Sequence, residues 1–115
     1  LQEVLFEGGS VTPDTIRVGA SEPASLFRST ALREAAELGE TAVKGGSLTD
    51  FEKACDNAVL RTAAGARRVP FGVEVALGYL IAKEAEWTAV RIVMAGRLAG
   101  LSADAIRERL RDTYV

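Results

Sequence analysis

The sequence predicts an all-α chain, and three observations carry that prediction. Alanine and glycine are abundant while β-branched alternation is nearly absent, a balance that favours helices over strands. Helix start signals built from hydroxyl, acidic and proline residues recur along the chain, and glycines close the stretches they open. Residues 72–101, GVEVALGYLIAKEAEWTAVRIVMAGRLAGL, form a long, proline-free and predominantly apolar run. As one helix of about 28 residues it would be roughly 42 Å long at 1.5 Å per residue. In a chain of 115 residues, whatever packs against such a helix is most of the fold. The expected architecture is a single multi-helix domain, residues 1–115, packed around one long central helix at about 73–100.

Taken in order, residues 1–7 are apolar enough for the last turns of a helix stopped by Gly8-Gly9. The chain begins without a methionine and partway through that helix, so it reads as a piece of a longer protein. Thr12-Pro13-Asp14 gives an N-cap, a proline at the first helical position and a first-turn acid, and Gly19 closes the short helix. Ser21-Glu22-Pro23 repeats the signal for one or two turns over residues 24–28. From Thr30 the period lengthens. Ala31, Ala35, Leu38 and Ala42 share one face of a helix that runs to residue 43 or 44, before Gly45-Gly46.

Thr49 followed by Glu52 reads as a capping box that opens the next helix. Phe51, Cys55, Ala58, Val59, Thr62 and Ala66 mark its expected inward face, to about residue 67. Asp56-Asn57 sits mid-helix, where both types have poor propensity. Either the pair faces solvent or its side chains tie down something nearby. Residues 69–72 break that helix. The last helix opens at Ser102 with Asp104 in its first turn and carries Ile106, Leu110 and Tyr114 as its apolar stripe.

Composition narrows the function. Hydrophobic residues make up 48% and charged residues 26%, the balance of a globular chain rather than a disordered one. Fourteen basic against sixteen acidic residues leave a net charge of −2, and aromatics are 6%, so neither phosphate attraction nor base stacking favours nucleic acid. There is no histidine, which removes the commonest acid–base group and metal ligand. Cys55 is the single cysteine and can form no internal disulfide. Without a histidine to activate it, a small apolar packing role suits it better than a nucleophile's. No signal peptide is visible, and no catalytic, metal-binding or cofactor-binding residue is assigned.

On a helical wheel the charges of the long segment do not gather on one side. Glu84, Thr88 and Arg91 make one narrow stripe, and Lys83, Glu86 and Arg97 another. Between them lie two apolar faces, one with Ala76, Leu80, Trp87, Met94 and Leu98, the other with Ile81, Ala85, Ala89, Ile92, Val93 and Ala99. Two apolar faces predict a helix sandwiched between layers. A membrane span is excluded, because Lys83, Glu84, Glu86 and Arg91 near the midpoint each cost about 2.5–3.5 kcal/mol on insertion. Glu84 and Glu86 point to different sides and cannot act as a paired acid and base. Gly72, Gly96 and Gly100 are too widely spaced for a phosphate loop. Glu84 and Arg91, two turns apart, read as a register lock.

These residues carry a resemblance. Pro70-Phe71-Gly72 stands before the helix, then Tyr79, Ala82-Lys83-Glu84-Ala85-Glu86, Arg91, Gly96-Arg97 and Gly100-Leu101. The series closes with I-R-x-R-L-R at residues 106–111 and with Tyr114-Val115. Together with DFEKACDNAVL at 50–60 and Gly8-Gly9-Ser10, the pattern resembles the C-terminal end of the C subunit of V-type and A-type ATPases and ATP synthases. The d subunit of the eukaryotic vacuolar enzyme is related to that protein. Trp87, Thr88 and Ala89 depart from the usual plainer run. The resemblance implies a non-catalytic subunit of three similar helical domains forming a socket, with this chain as the last. It implies a place on the cytoplasmic face of the membrane proteolipid ring, where the subunit receives the tip of the central stalk and transmits rotation for proton or sodium transport.

In that reading Arg67, Arg68, Arg107, Arg109 and Arg111 are candidate partner contacts, although arginines near a helix C-terminus also complement its dipole. Any self-association of the chain alone is expected to be incidental, through surfaces that neighbours would cover. The alternative is a free-standing helical adaptor for protein–protein contacts, and an enzyme ranks a distant third.

Overall fold

Thr12 opens the first helix as its sequence requires: its Oγ1 accepts from the Thr15 N–H at 3.3 Å, and Pro13 takes the first helical position. The computed structural model describes residues 8–112. Among them the elements are α1 (Pro13–Gly19), α2 (Pro23–Leu26), α3 (Arg33–Val43), α4 (Leu48–Ala64), a 3-10 turn (Gly65–Arg68), α5 (Val73–Leu98) and α6 (Ala103–Arg109), with no strand. The all-α reading holds. The expected helical end at 1–7, and Tyr114 and Val115, lie outside the described residues. The chain divides into two units, one up to Ala54 and one from Cys55 onward, and α4 runs across the division.

In the first unit, Glu22 supplies no side-chain cap to α2. The orphan Ala24 N–H donates instead to the Glu40 carboxylate of α3, at 2.8 Å. α3 starts at Arg33, later than its period predicts. Thr30 is occupied in a turn, donating to the Phe27 carbonyl and accepting from the Leu32 N–H, which leaves Ala31 before the helix and exposed. Ala35 and Ala36 are the buried residues of α3.

The capping box placed at Thr49 and Glu52 is not the helix start. Ser47 accepts from the Asp50 N–H at 3.2 Å, so Thr49 already lies within the first turn. The inward face also differs from the expected one. Ala54, Asn57, Ala58, Leu60 and Ala63 are buried on α4, while Val59 and Thr62 are exposed. An inward asparagine rotates the buried arc away from the apolar periodicity.

In the second unit α5 ends at Leu98, short of the expected residue 100. Gly100 at φ +72° adopts the left-handed conformation that stops it. The Gly100 N–H bonds the Arg97 carbonyl and the Leu101 N–H the Gly96 carbonyl, the paired closure of a Schellman motif. Ser102 then caps α6, accepting from the Ala105 N–H at 3.2 Å. α6 returns against α5, and Ile106, 6% exposed, sits over Gly96.

The expectation of two covered apolar faces on α5 is corrected. Gly78, Ala82 and Gly96 are buried, and Ile81, Ala85, Ala89 and Ile92 are half-buried beside them. On the opposite face Leu80 is 61%, Trp87 65%, Met94 60% and Leu98 88% exposed. Among the described residues, the buried positions of α5 lie along its small-residue face.

A Cβ added at Gly96 would stand 2.6 Å from Cγ1 of Ile106. Glycine-to-alanine change inside a helix ordinarily gains about 0.5–1 kcal/mol. Here overpacking against a buried isoleucine reverses the sign, and Gly96→Ala is expected to cost about 1–3 kcal/mol in urea unfolding. Ile106→Val keeps Cγ1 and should not relieve the clash, whereas Ile106→Ala removes Cγ1 and Cδ1 and should cost less in the Gly96→Ala chain than in the parent.

Candidate interaction site

Asp56 and Asn57, the polar pair in mid-helix, hold down the segment that follows α6. Leu110 leaves the helix in an extended conformation (φ −68°, ψ 145°), which carries Arg111 and Asp112 along α4. Arg111 Nε donates to Asp56 at 2.7 Å, and the Asp112 N–H donates to Oδ1 of Asn57 at 2.8 Å. One turn beyond Asn57, Arg61 donates through Nε and Nη2 to the Asp112 carboxylate at 3.0 and 2.8 Å. Of the two readings open for Asp56-Asn57, the structure selects the tether. Arg61 and Asp112 complete it, and the sequence reading missed both. Their only signal was the anomalous pair one turn earlier.

The tether claims one of the predicted contacts. The Arg111 side chain is 17% exposed and bonded to Asp56. Arg107 is bonded to Asp104 at 2.7 Å within α6, both of them exposed. Arg67 and Arg68 are exposed on the 3-10 turn, and Arg109 is exposed at the end of α6.

The motif residues of α5 are spread over its surface. Pro70, Phe71 and Gly72 form the exposed entry to the helix, with Gly72 at φ +146°. Gly96 is the close-approach point for Ile106, and Arg97 is exposed one residue on. Lys83 donates to Glu86 at 2.8 Å, and its ammonium lies 5.6 Å from the centre of the Tyr79 ring. The hydrogen bond to Glu86, with the carboxylate charge, holds the Lys83 ammonium above its usual pKa.

Glu84 and Arg91 do not form the buried register lock expected of them. Both are exposed, and neither has a bonded partner among the described residues. Both charges are exposed to solvent, and at two turns' separation nothing among the described residues bridges them.

Asp56, Val59, Ile81, Glu84, Ala85 and Arg111 line a shallow groove of about 200 Å³. Metabolite-sized ligands need roughly 300–1,000 Å³ and deep enclosure. Among the described residues no group of three or more His, Cys, Asp or Glu side chains could hold a metal ion. Cys55 is half-buried and unpaired. The chemistry on view is that of surfaces, apolar along α5 and basic at the helix ends.

Comparison with known proteins identifies the class. The sequence profile of the ATP synthase (C/AC39) subunit family matches residues 1–109, and the chain belongs to that family. A curated relative, the A-type ATP synthase C subunit of Haloquadratum walsbyi (strain DSM 16790 / HBSQ001), is 41% identical over 78 residues. That stretch is 67% of this chain and 22% of the relative, so the match spans about a fifth of the relative's length. No solved structure matches the chain. No helix among the described residues is long and apolar enough to cross a membrane.

Two measurements check the site. Asn57 is 5% exposed, and Asn57→Ala leaves the Asp112 N–H without its partner, at an expected cost of about 1–3 kcal/mol and faster amide exchange at Asp112. Arg61→Ala removes a half-exposed pair and should cost under about 1 kcal/mol.

For Lys83, a folded pKa raised above the ordinary 10.5 means a contribution fully present below pH 10.5 and lost as pH rises through the folded value. Glu86→Gln should move the Lys83 titration back down, read by NMR at the lysine side chain.

Proposed function

We propose that this chain is part of a non-catalytic rotor subunit of a V/A-type ATPase or ATP synthase. In this proposal the subunit is a socket between the central stalk and the membrane proteolipid ring. It sits peripherally on the cytoplasmic side and transmits rotation for proton or sodium transport. The chain is the last of three similar helical domains of that longer subunit, and it contributes structure and contact surface without chemistry.

The observation that carries the reading is the family match over residues 1–109, joined to the relative named as an A-type ATP synthase C subunit. The geometry agrees with a mechanical part. α5 runs 26 residues without a break, about 39 Å at 1.5 Å per residue, and is backed by close packing at Gly78, Ala82 and Gly96. Force applied at one end of such a rod is transmitted with little loss to bending. Exposed arginines at the helix ends, Arg67, Arg68, Arg107 and Arg109, suit charged partner surfaces and steer association.

The test is co-purification of the full-length protein that includes this chain with the central-stalk subunits and the proteolipid ring of the same organism. The protein is expected to elute with both. Arg68→Glu with Arg109→Glu should weaken that association by about tenfold, or 1.4 kcal/mol, more at low than at high salt. A protein that elutes alone while the stalk and ring assemble without it would refute the rotor reading and favour the adaptor.

A further inference from the structure

Arg111 and Asp112 lie along α4 with no backbone–backbone bond to it among the described residues. Each link ends on a side chain of α4. Arg111 donates to Asp56 at 2.7 Å, the Asp112 N–H donates to Asn57 at 2.8 Å, and Arg61 donates to the Asp112 carboxylate at 3.0 and 2.8 Å. α6 does not share these links. It is fixed by its Ser102 cap and by buried Ile106, and it ends at Leu110, whose extended backbone joins helix to segment.

From this arrangement we infer that Arg111 and Asp112 form a strap, hinged at Leu110 and held by charge, that opens from α4 while the helices stay folded. Opening changes a site. Arg111 is one wall of the groove that Asp56, Val59, Ile81, Glu84 and Ala85 also line. With the strap shut, two carboxylates against one guanidinium give that groove a net charge of −1; with the strap open, the two carboxylates alone give −2. The strap, its anchors and the groove all belong to the unit from Cys55 onward.

The strength of the links decides how often the strap opens. Both of its carboxylate pairings are about half-exposed at the acid. An exposed ion pair shifts an equilibrium by a factor of about 1.4–5. A neutral hydrogen bond shifts it, net of hydration, by a factor of about 2–13. Two such pairs and one such bond hold the strap shut by a factor of about 4–300, so it stands open in roughly a fifth to a few thousandths of molecules. A small domain is held folded by a factor of about 10³–10⁸, so the strap opens long before the helices melt. Two of the three links are ionic, and salt therefore loosens the strap more than it loosens the helices. The inference rests on the second unit alone and is independent of the rotary reading.

Native-state amide exchange of the 115-residue chain, read by NMR, tests it. The Asp112 amide is expected to exchange through a local opening at least about tenfold more frequent than the openings that expose the slowest amides of α4 and α5, and to depend little on denaturant. Raising sodium chloride from about 20 mM to about 1 M should increase that opening about two- to fivefold and move the Arg111 Nε–H resonance in step with it. Arg61→Ala and Asp56→Asn should each increase it about two- to fivefold while the α5 amides stay as they are. Three results overturn the inference. Asp112 exchanges only when the slowest amides do, or its opening ignores salt, or the variants speed α5 exchange as much as they speed Asp112. In the last case the links hold up the helices and are not a strap.

Discussion

Ile106 on Gly96 is the contact from which the second unit takes its form. α5 can receive a branched side chain at that point because glycine leaves no Cβ in the way. The Schellman closure at Gly100 and the Ser102 cap set the angle at which α6 turns back, and the glycine sets how near it comes. Once α6 is seated there, its extended continuation passes α4 where Asp56, Asn57 and Arg61 wait. The tether at Arg111 and Asp112 depends on that landing. Its ion pairs are solvent-screened and weak singly, and the part-buried hydrogen bond from the Asp112 N–H to Asn57 gives it definition.

α5 satisfies two demands that conflict in an isolated domain. Its small-residue side packs closely, which stiffens it. Its large apolar side, with Leu80, Trp87, Met94 and Leu98, faces water in this chain. A helix kept only for its own domain's stability would carry polar residues there. The charges that interrupt the apolar pattern keep it out of a lipid bilayer, so this surface is suited to protein. The family to which the chain belongs is that of ATP synthase (C/AC39) subunits, and a rod with one bare apolar edge is compatible with membership of an assembly.

Much of the fold was legible in the residues. Helix type and order follow from punctuation: Thr12-Pro13, Gly19, Gly45-Gly46, Gly100 and Ser102 act within a few residues of themselves, and the structure keeps each one. Boundaries slipped where a side chain had two local uses. Thr30 holds a turn and delays α3, and Ser47 caps α4 ahead of Thr49. The site was legible only as an anomaly. Asp56-Asn57 is costly in mid-helix, which signals a purpose, but its partners lie 55 residues away in sequence.

By itself the sequence determined that the chain is helical, the order of its helices and their ends to within a few residues, that the long one does not cross a membrane, and which family its motif resembles. Those properties depend on local backbone preference and on residue type, which a linear reading contains. Tertiary structure alone decided which face of each helix is covered. It turned Glu84 and Arg91 from an expected buried lock into exposed charges, and it bound Arg111 to Asp56. It also left one of two equally apolar faces of α5 in water. The wheel of an isolated helix shows both faces alike, and only the path of the rest of the chain, led by α6 to Gly96, chooses between them.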